Sequence, residues 1–354
     1  MQRLAKMRSY LQEQGLDAFI VTAPVNWAYL TGFTGSSGLL LLSREEAVLL
    51  TDARYVEQAK EEAPGVEVRR SGREPVQDLA GVLRSWGAQE VGFEADHLTV
   101  QRFRAWEREL PEVRWREVSG TVEGLRAVKE EGELALIRQA IAIAEGALRE
   151  VFALIADGRR ESELALELEF SLRRRGAAAP AFDTIVASGP RGALPHGVAS
   201  QRRLRKGELV TIDCGALYRG YASDLTRTFA LGEVDARQRE VYELVRLAQQ
   251  EGIRAVRPGR VAREVDAAAR RVIEESGLGE YFGHGLGHGV GREVHERPVV
   301  GPSSEEVLRP GMVITVEPGI YIPEWGGVRI EDMVLVTENG CEVLTSFTRE
   351  LLLL

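Results

Sequence analysis

Leu4, Met7 and Leu11 recur at intervals of three and four residues, which predicts an amphipathic helix that Gly15 ends. Short apolar runs at Ala18 to Val21, Leu39 to Leu42, Ala47 to Leu50 and Val66 to Val68 predict strands. Between and after them, helical spacing appears around Arg54 to Glu62, Pro75 to Trp86 and Thr99 to Glu109. This alternation predicts an α/β domain over about the first third of the chain. The aromatic, glycine-rich stretch Asn26 to Gly38 predicts a turn. Neither a helix start nor a Lys-Ser/Thr pair follows its glycines, so it is not a phosphate loop.

The pattern changes near Lys129. Leu134, Ile137, Ile141, Ala144, Leu148, Val151 and Ile155 step by three or four, predicting one long helix up to Gly158. A domain boundary is therefore expected between residues 120 and 128, dividing the chain into 1–124 and 125–354. Leu164, Leu168 and Leu172 predict a second helix ending at Gly176, followed by a strand at Thr184 to Ala187 and a loop from Ser188 to Gly197. Leu209 to Phe229 carries two β-prone runs around Tyr218-Arg219-Gly220-Tyr221 and predicts a hairpin. Two helices follow, Ala236 to Val256 and Val261 to Glu275, the first opened by the capping-box pair Asp235 and Gln238.

Composition narrows the function classes. With 354 residues the chain can bury sizeable cores in two domains. Its 45 basic against 54 acidic residues, interspersed, argue against nucleic acid or an anionic membrane as the main partner. Two distant cysteines, Cys214 and Cys341, exclude a disulfide framework and a thiolate-rich zinc site, and fit a reducing cytoplasm. No apolar run approaches the length of a membrane span, and the first residues form no signal-peptide core.

Candidate chemistry lies in the second domain. Asp213 and Asp224 stand 11 positions apart on opposite arms of the hairpin, where a centred turn brings them side by side. Phe282 to Gly291 packs five glycines around His284 and His288, and His295 lies just beyond. With His196, these make four of the chain's five histidines, whereas His97 reads as a surface or capping residue. Glu317 ends the strand Met312 to Val316, and Glu331 falls in mid-run of a predicted strand, Gly327 to Thr337. Taken singly, each acid has an ordinary explanation at a turn, an edge or a solvated face. Taken together, Asp213, Asp224, His288, Glu317 and Glu331 offer four negative charges and one neutral imidazole, a set that balances two divalent cations. Oxygen-rich, thiol-free ligation points to Mn²⁺, Co²⁺ or Mg²⁺ more than to structural zinc. A pair of ions about 4 Å apart that shares a water is the apparatus of a hydrolase. Cys214, next to Asp213, is expected to face the core on the opposite side of its strand.

These segments resemble the pita-bread metallopeptidases, specifically the proline-specific branch that includes aminopeptidase P and prolidase. The resemblance spans essentially the whole chain and rests on D-x-G-x-x-Y-x-x-Y-x-S-D-x-T-R-T-F from Asp213, G-H-G-L-G-H-G-V-G from Gly283 with V-H-E, E-P-G-I-Y from Glu317, and G-G-V-R-I-E-D from Gly326. It implies a creatinase-like amino-terminal α/β domain followed by a pita-bread (creatinase/aminopeptidase) catalytic domain, an overall α/β and α+β chain. It also implies that Asp213, Asp224, His288, Glu317 and Glu331 hold two metal ions per chain, with Asp224 and Glu331 bridging. Mn²⁺ is the first expectation and Co²⁺ or Zn²⁺ the alternatives. His196, His295 and Glu317 are the implied catalytic residues. Arg329, which orients the ligand shell, joins Tyr321 and His284 as candidates for substrate binding.

The implied activity is hydrolysis of an Xaa-Pro bond at the amino terminus of peptides and of Xaa-Pro dipeptides, by a cytoplasmic homodimer. A strict Xaa-Pro dipeptidase is the alternative. Proteins of this fold that only bind peptides, and creatinase-like enzymes, lack the metal set, while methionine aminopeptidases lack so large a preceding domain. Arg54 bears on substrate length. It either caps its helix or, reaching a partner's site in a dimer, clamps the carboxylate of a dipeptide.

Overall fold

A computed structural model describes residues 2–72 and 75–354. The chain divides into two compact units, Met1–Arg126 and Ala127–Leu354.

The first unit is built on one mixed sheet of β1 (Ala18–Val21), β2 (Leu39–Ser43), β3 (Ala47–Thr51), β4 (Glu67–Arg70), β5 (Glu90–Glu94) and β6 (Arg114–Val118), ordered β4-β3-β2-β1-β5-β6. The β2 pairings with β1 and β3 are antiparallel; the other three are parallel. Helices α1 (Gln2–Gln14), α2 (Pro24–Thr31), α3 (Val56–Glu62), α4 (Pro75–Ser85), α5 (Val100–Glu109) and α6 (Thr121–Arg126) complete it. Alternation along β1 sends Phe19 and Val21 into one apolar cluster and Ala18 and Ile20 into another, so both faces of the sheet are covered.

Three expectations change here. The stretch expected as a turn at Asn26 is the helix α2, because Pro24 is preset for a first helical turn and Trp27, Tyr29 and Leu30 bury themselves in the core. Gly32, in the left-handed region at φ 90°, then ends it. Strands β5 and β6 went unpredicted: β6 carries alternating charged residues, which hide the strand pattern. Arg54 does not cap α3 through its side chain. Its guanidinium forks onto Asp52 at 3.0 and 2.8 Å, in solvent.

In the second unit α7 (Glu131–Phe152) and α8 (Glu161–Arg174) are followed by β7 (Ala179–Pro180), β8 (Ile185–Ser188), β9 (Glu208–Cys214), β10 (Ala216–Tyr218), β11 (Tyr221–Ala222) and β12 (Leu225–Leu231). Then come α9 (Ala236–Ala255), α10 (Ala262–Glu275), β13 (Gly287–Gly289), β14 (Glu296–Val300), β15 (Val313–Val316), β16 (Gly319–Ile322), β17 (Gly326–Arg329), β18 (Asp332–Thr337) and β19 (Gly340–Val343). Every ladder between these strands is antiparallel, in sheets ordered β11-β10-β7, β12-β9-β8, β14-β13-β15-β18-β19 and β16-β17.

The two helix pairs bury separate cores. Leu148, Leu164 and Leu168 of α7 and α8 pack with Val210, Ile212, Cys214, Leu225 and Phe229. Val241, Val245, Val265 and Ala269 of α9 and α10 pack with Ile314, Val316, Val328 and Val334. Because side chains alternate, the strand residues of opposite parity, including Asp213, Thr226 and Thr228, are turned away from the first of these cores. Helix α7 ends at Phe152, short of the expected Gly158, and Asp235 caps α9 with Gln238 as expected. Among the described residues no helix is long and apolar enough to cross a membrane.

Candidate active site

The hairpin forms with an interruption. β9 and β12 pair Asp213 with Thr226 and Cys214 with Leu225, so Asp224 sits just beyond that ladder, opposite Gly215 and diagonal to Asp213. The diagonal preserves parity, which puts both carboxylates on one face. Cys214 lies on the other face, fully buried in the core.

Strand β13 lies between β14 and β15 and presents His288. A β-carbon at Gly287 would collide with the Thr315 carbonyl, and one at Gly289 with that of Arg297, so the glycine density reflects close backbone packing on both flanks. His288 Nδ1 donates to the Gly289 carbonyl at 3.1 Å, which leaves Nε2 facing Glu317 Oε1 at 3.1 Å and Asp224 Oδ2 at 3.6 Å. Glu317 follows the last residue of β15, and the Thr315 hydroxyl donates to its Oε1 at 2.9 Å.

Glu331 departs from expectation. It is not in mid-strand but lies between β17 and β18, which belong to different sheets, and it is 1% exposed, buried as a ligand would be rather than on a solvated face. Its backbone N–H donates to Thr226 O at 3.1 Å, and Thr226 Oγ1 donates to its Oε2 at 2.8 Å. The ligand atoms of Asp224, His288 and Glu331 lie within 4.8 Å of one another. Asp213 and Glu317 line the same cavity, of about 450 Å³, as Asp224 and His288.

Arg329 is the buried cation of the site. It donates to Asp213 Oδ2 at 2.7 Å, Tyr321 Oη at 3.0 Å, Thr226 Oγ1 at 3.1 Å and the Pro195 carbonyl at 3.1 Å. Tyr321 Oη is also 2.9 Å from His284 Nε2, and His284 Nδ1 is 2.7 Å from the Gly285 carbonyl. A carbonyl can only accept, so the proton of a neutral His284 sits on Nδ1 and Tyr321 donates to Nε2. The result is a directed chain from Arg329 through Tyr321 to His284. Burial pushes the His284 pKa down, against the pull of Glu317.

Electrostatics demand more positive charge than these residues carry. Burial and then the charges of neighbouring carboxylates push Asp224 and Glu331 well above the ordinary range. Burial also raises Asp213 against the influence of Arg329. Burial opposes charge on both Glu317 and His288, yet their contact outweighs it, lowering the carboxyl and raising the imidazole. Among the described residues, Asp213 Oδ1 and Glu331 Oε1 are buried without a hydrogen-bond partner. Four converging carboxylates, two of them with orphaned oxygens, and an imidazole nitrogen turned toward them fit divalent cations.

His196 and His295 also line the cavity, and the His295 ring lies 4.2 Å from that of His288. Burial, then the neighbouring His288, lowers the His295 pKa. Phe182, Ile185, Val198 and Val299 add an apolar wall. Sequence reasoning missed this wall and the hydroxyls of Thr226 and Thr315. Parity was the available signal for Thr226, which stands two residues after Asp224 on the same face; nothing in the local sequence marks Val299.

Residues 135–338 match Metallopeptidase family M24, and residues 3–128 match the Creatinase/Prolidase N-terminal domain. An Xaa-Pro dipeptidase of Pyrococcus furiosus is 41% identical over 99% of both chains. A solved Xaa-Pro dipeptidase from Bacillus anthracis is 43% identical with a TM-score of 0.97, covering 100% of this chain and 99% of that one. An X-Pro aminopeptidase from Thermotoga maritima is 37% identical with a TM-score of 0.93, covering 99% of each.

Proposed function

The chain belongs to metallopeptidase family M24, the pita-bread proline peptidases, and from that premise we propose that it hydrolyses the Xaa-Pro bond of dipeptides. The carrying observation is the convergence of Asp213, Asp224, His288 and Glu317 on a cavity with an apolar wall, with Glu331 buried among them. We assign those five residues as ligands of two divalent ions, Mn²⁺ first. Such a pair, when bound, brings the pKa of a shared water toward neutrality and polarises the scissile carbonyl.

The chain's own residues supply the rest. A proline ring is a compact apolar body suited to a wall of Phe182, Ile185, Val198 and Val299. The Xaa-Pro amide is tertiary, so its nitrogen offers no N–H and must receive a proton before it leaves as a secondary amine. Glu317, ionised at rest, takes the proton released by the attacking water and passes it to that nitrogen. His196 and His295 hydrogen-bond the substrate and the charge that develops on it. Arg329 holds Asp213 and, through Tyr321, fixes the tautomer of His284, so that His284 is a positioning group whose Nε2 is already engaged. Support for the dipeptide comes from the relatives named Xaa-Pro dipeptidase.

A second reading, an aminopeptidase that also accepts longer peptides, is favoured by the comparable likeness to the X-Pro aminopeptidase of Thermotoga maritima. The test compares kcat/KM for Ala-Pro, Ala-Pro-Ala and Ala-Pro-NH₂ in wild type and Arg54→Ala. Rejection of the tripeptide and the amide is the expected outcome. Efficient cleavage of both establishes the second reading, and rescue of both by Arg54→Ala identifies Arg54 as the gate on length. No cleavage of any of the three by the metal-loaded protein overturns both readings.

A further inference from the structure

His196 is exposed, on the loop between β8 and β9, and beside the Arg329 bond to the Pro195 carbonyl that loop is anchored by a residue outside the cavity. Glu161, the first residue of α8, is 0% exposed. A buried carboxylate needs several donors, and here they come from both ends of the His196 loop. At the start of the loop, Ser188 donates from its backbone N and its Oγ to Glu161 Oε1, each at 2.8 Å. At its end, Ser200 donates from N at 3.1 Å and Oγ at 2.6 Å to Oε2. Arg191, inside the loop, ion-pairs with the same Oε2 and also donates to the Val198 carbonyl at 2.8 Å. One carboxylate thus closes a segment of thirteen residues, Ser188 to Ser200, into a ring, with His196 and Val198 on the side that lines the cavity.

We infer that Glu161 is a positioning residue for the reaction, acting through His196. The inference rests on the proposed role of His196 at the substrate. A gap of about 1 Å in the placement of such a group lowers a rate by about a hundredfold. Glutamine at this site keeps one acceptor but turns an NH₂ group toward the donors of Ser200 and Arg191, so the ring opens at that end. Among the described residues, Ser188, Ser200 and Arg191 make no hydrogen bond to Asp213, Asp224, His288, Glu317 or Glu331; the ring meets that set only through the Pro195 carbonyl, which accepts from Arg329, so the metal content of each variant is measured beside its activity.

The experiment is a double-mutant cycle on Ala-Pro hydrolysis with metal-loaded protein, combined with ring-resolved NMR of histidine-labelled protein, whose five histidines are assigned by single substitutions. Glu161→Gln is expected to lower kcat/KM roughly ten- to hundredfold, and less than about twofold further when introduced into His196→Ala. In the same variant the His196 ring resonances shift while those of His97 stay in place. Ser200→Ala, which removes one donor and leaves the charge, is the milder companion should Glu161→Gln fold poorly; it is expected to give a smaller loss of the same pattern. Equal losses in the wild-type and His196→Ala backgrounds, or unmoved His196 resonances, overturn the inference. If His196→Ala alone leaves activity intact, the proposed role of His196 fails, and the resonances still decide whether Glu161 sets its position.

Discussion

Thr226→Val exchanges one hydroxyl for a methyl at a residue with 0% exposure and so isolates the groups that hold Glu331. Two interactions go. The hydroxyl no longer donates to Glu331 Oε2 at 2.8 Å, nor accepts from Arg329 Nε at 3.1 Å. A hydrogen bond to a charged group contributes about 1.5–3 kcal/mol. Among the described residues Glu331 Oε1 already has no hydrogen-bond partner, so in the variant neither oxygen of the carboxylate has a donor among them. If Glu331 bridges the ions, losing the group that orients it lowers metal affinity by roughly ten- to a hundredfold. That corresponds to about 1.4–2.8 kcal/mol, the same size as the lost hydrogen bond. The assay is Ala-Pro hydrolysis against buffered free Mn²⁺: the midpoint moves up by that factor, whereas kcat at saturating metal falls by no more than about threefold, because no group that touches substrate has been removed. A metal midpoint within twofold of wild type would refute the assignment of Thr226 as the residue that orients Glu331. A loss of kcat that excess metal cannot restore would refute the separation of its role from substrate handling.

Further outcomes follow from the same geometry. Chelation abolishes hydrolysis and Mn²⁺ or Co²⁺ restores it, while Asp224→Ala and Glu331→Ala fail to recover at any metal concentration; undiminished activity of protein shown by elemental analysis to be metal-free contradicts the ligand assignment. His295→Ala lowers kcat by roughly a hundred- to ten-thousandfold with metal content unchanged, and loss of metal instead would make His295 a ligand. His284 titrates below the ordinary histidine value, since burial disfavours its charged form. Its folded pKa lies below its unfolded one, so stability falls as pH drops from the unfolded value through the folded one, and ring NMR that finds titration at or above about 6.5 contradicts this. Separately from this geometry, the family resemblance implies a homodimer, which light scattering checks.

What local sequence determined was the cast of the site and the segments that carry it. Asp213, Asp224, His288, Glu317 and Glu331 were legible because charged or imidazole groups interrupt apolar or glycine-rich runs, where burying them requires compensation. The helices α1, α7, α8, α9 and α10 were legible from spacing of three and four, since one apolar face per helix is enough to mark them. The helix α2 was not, because its aromatic residues and flanking glycines share their composition with a turn. Tertiary structure alone decided how the acids are held. The strand through Glu331 reads as continuous in sequence, yet the chain breaks between β17 and β18 because each pairs with a different neighbour, and Glu331 is buried at the break. Arg329 reaches Asp213, 116 positions away, and Glu161 gathers Ser188 and Ser200 from 27 and 39 positions away. No local pattern encodes such pairings, for they arise only when separate strands and loops bring a donor to a carboxylate that has lost its water.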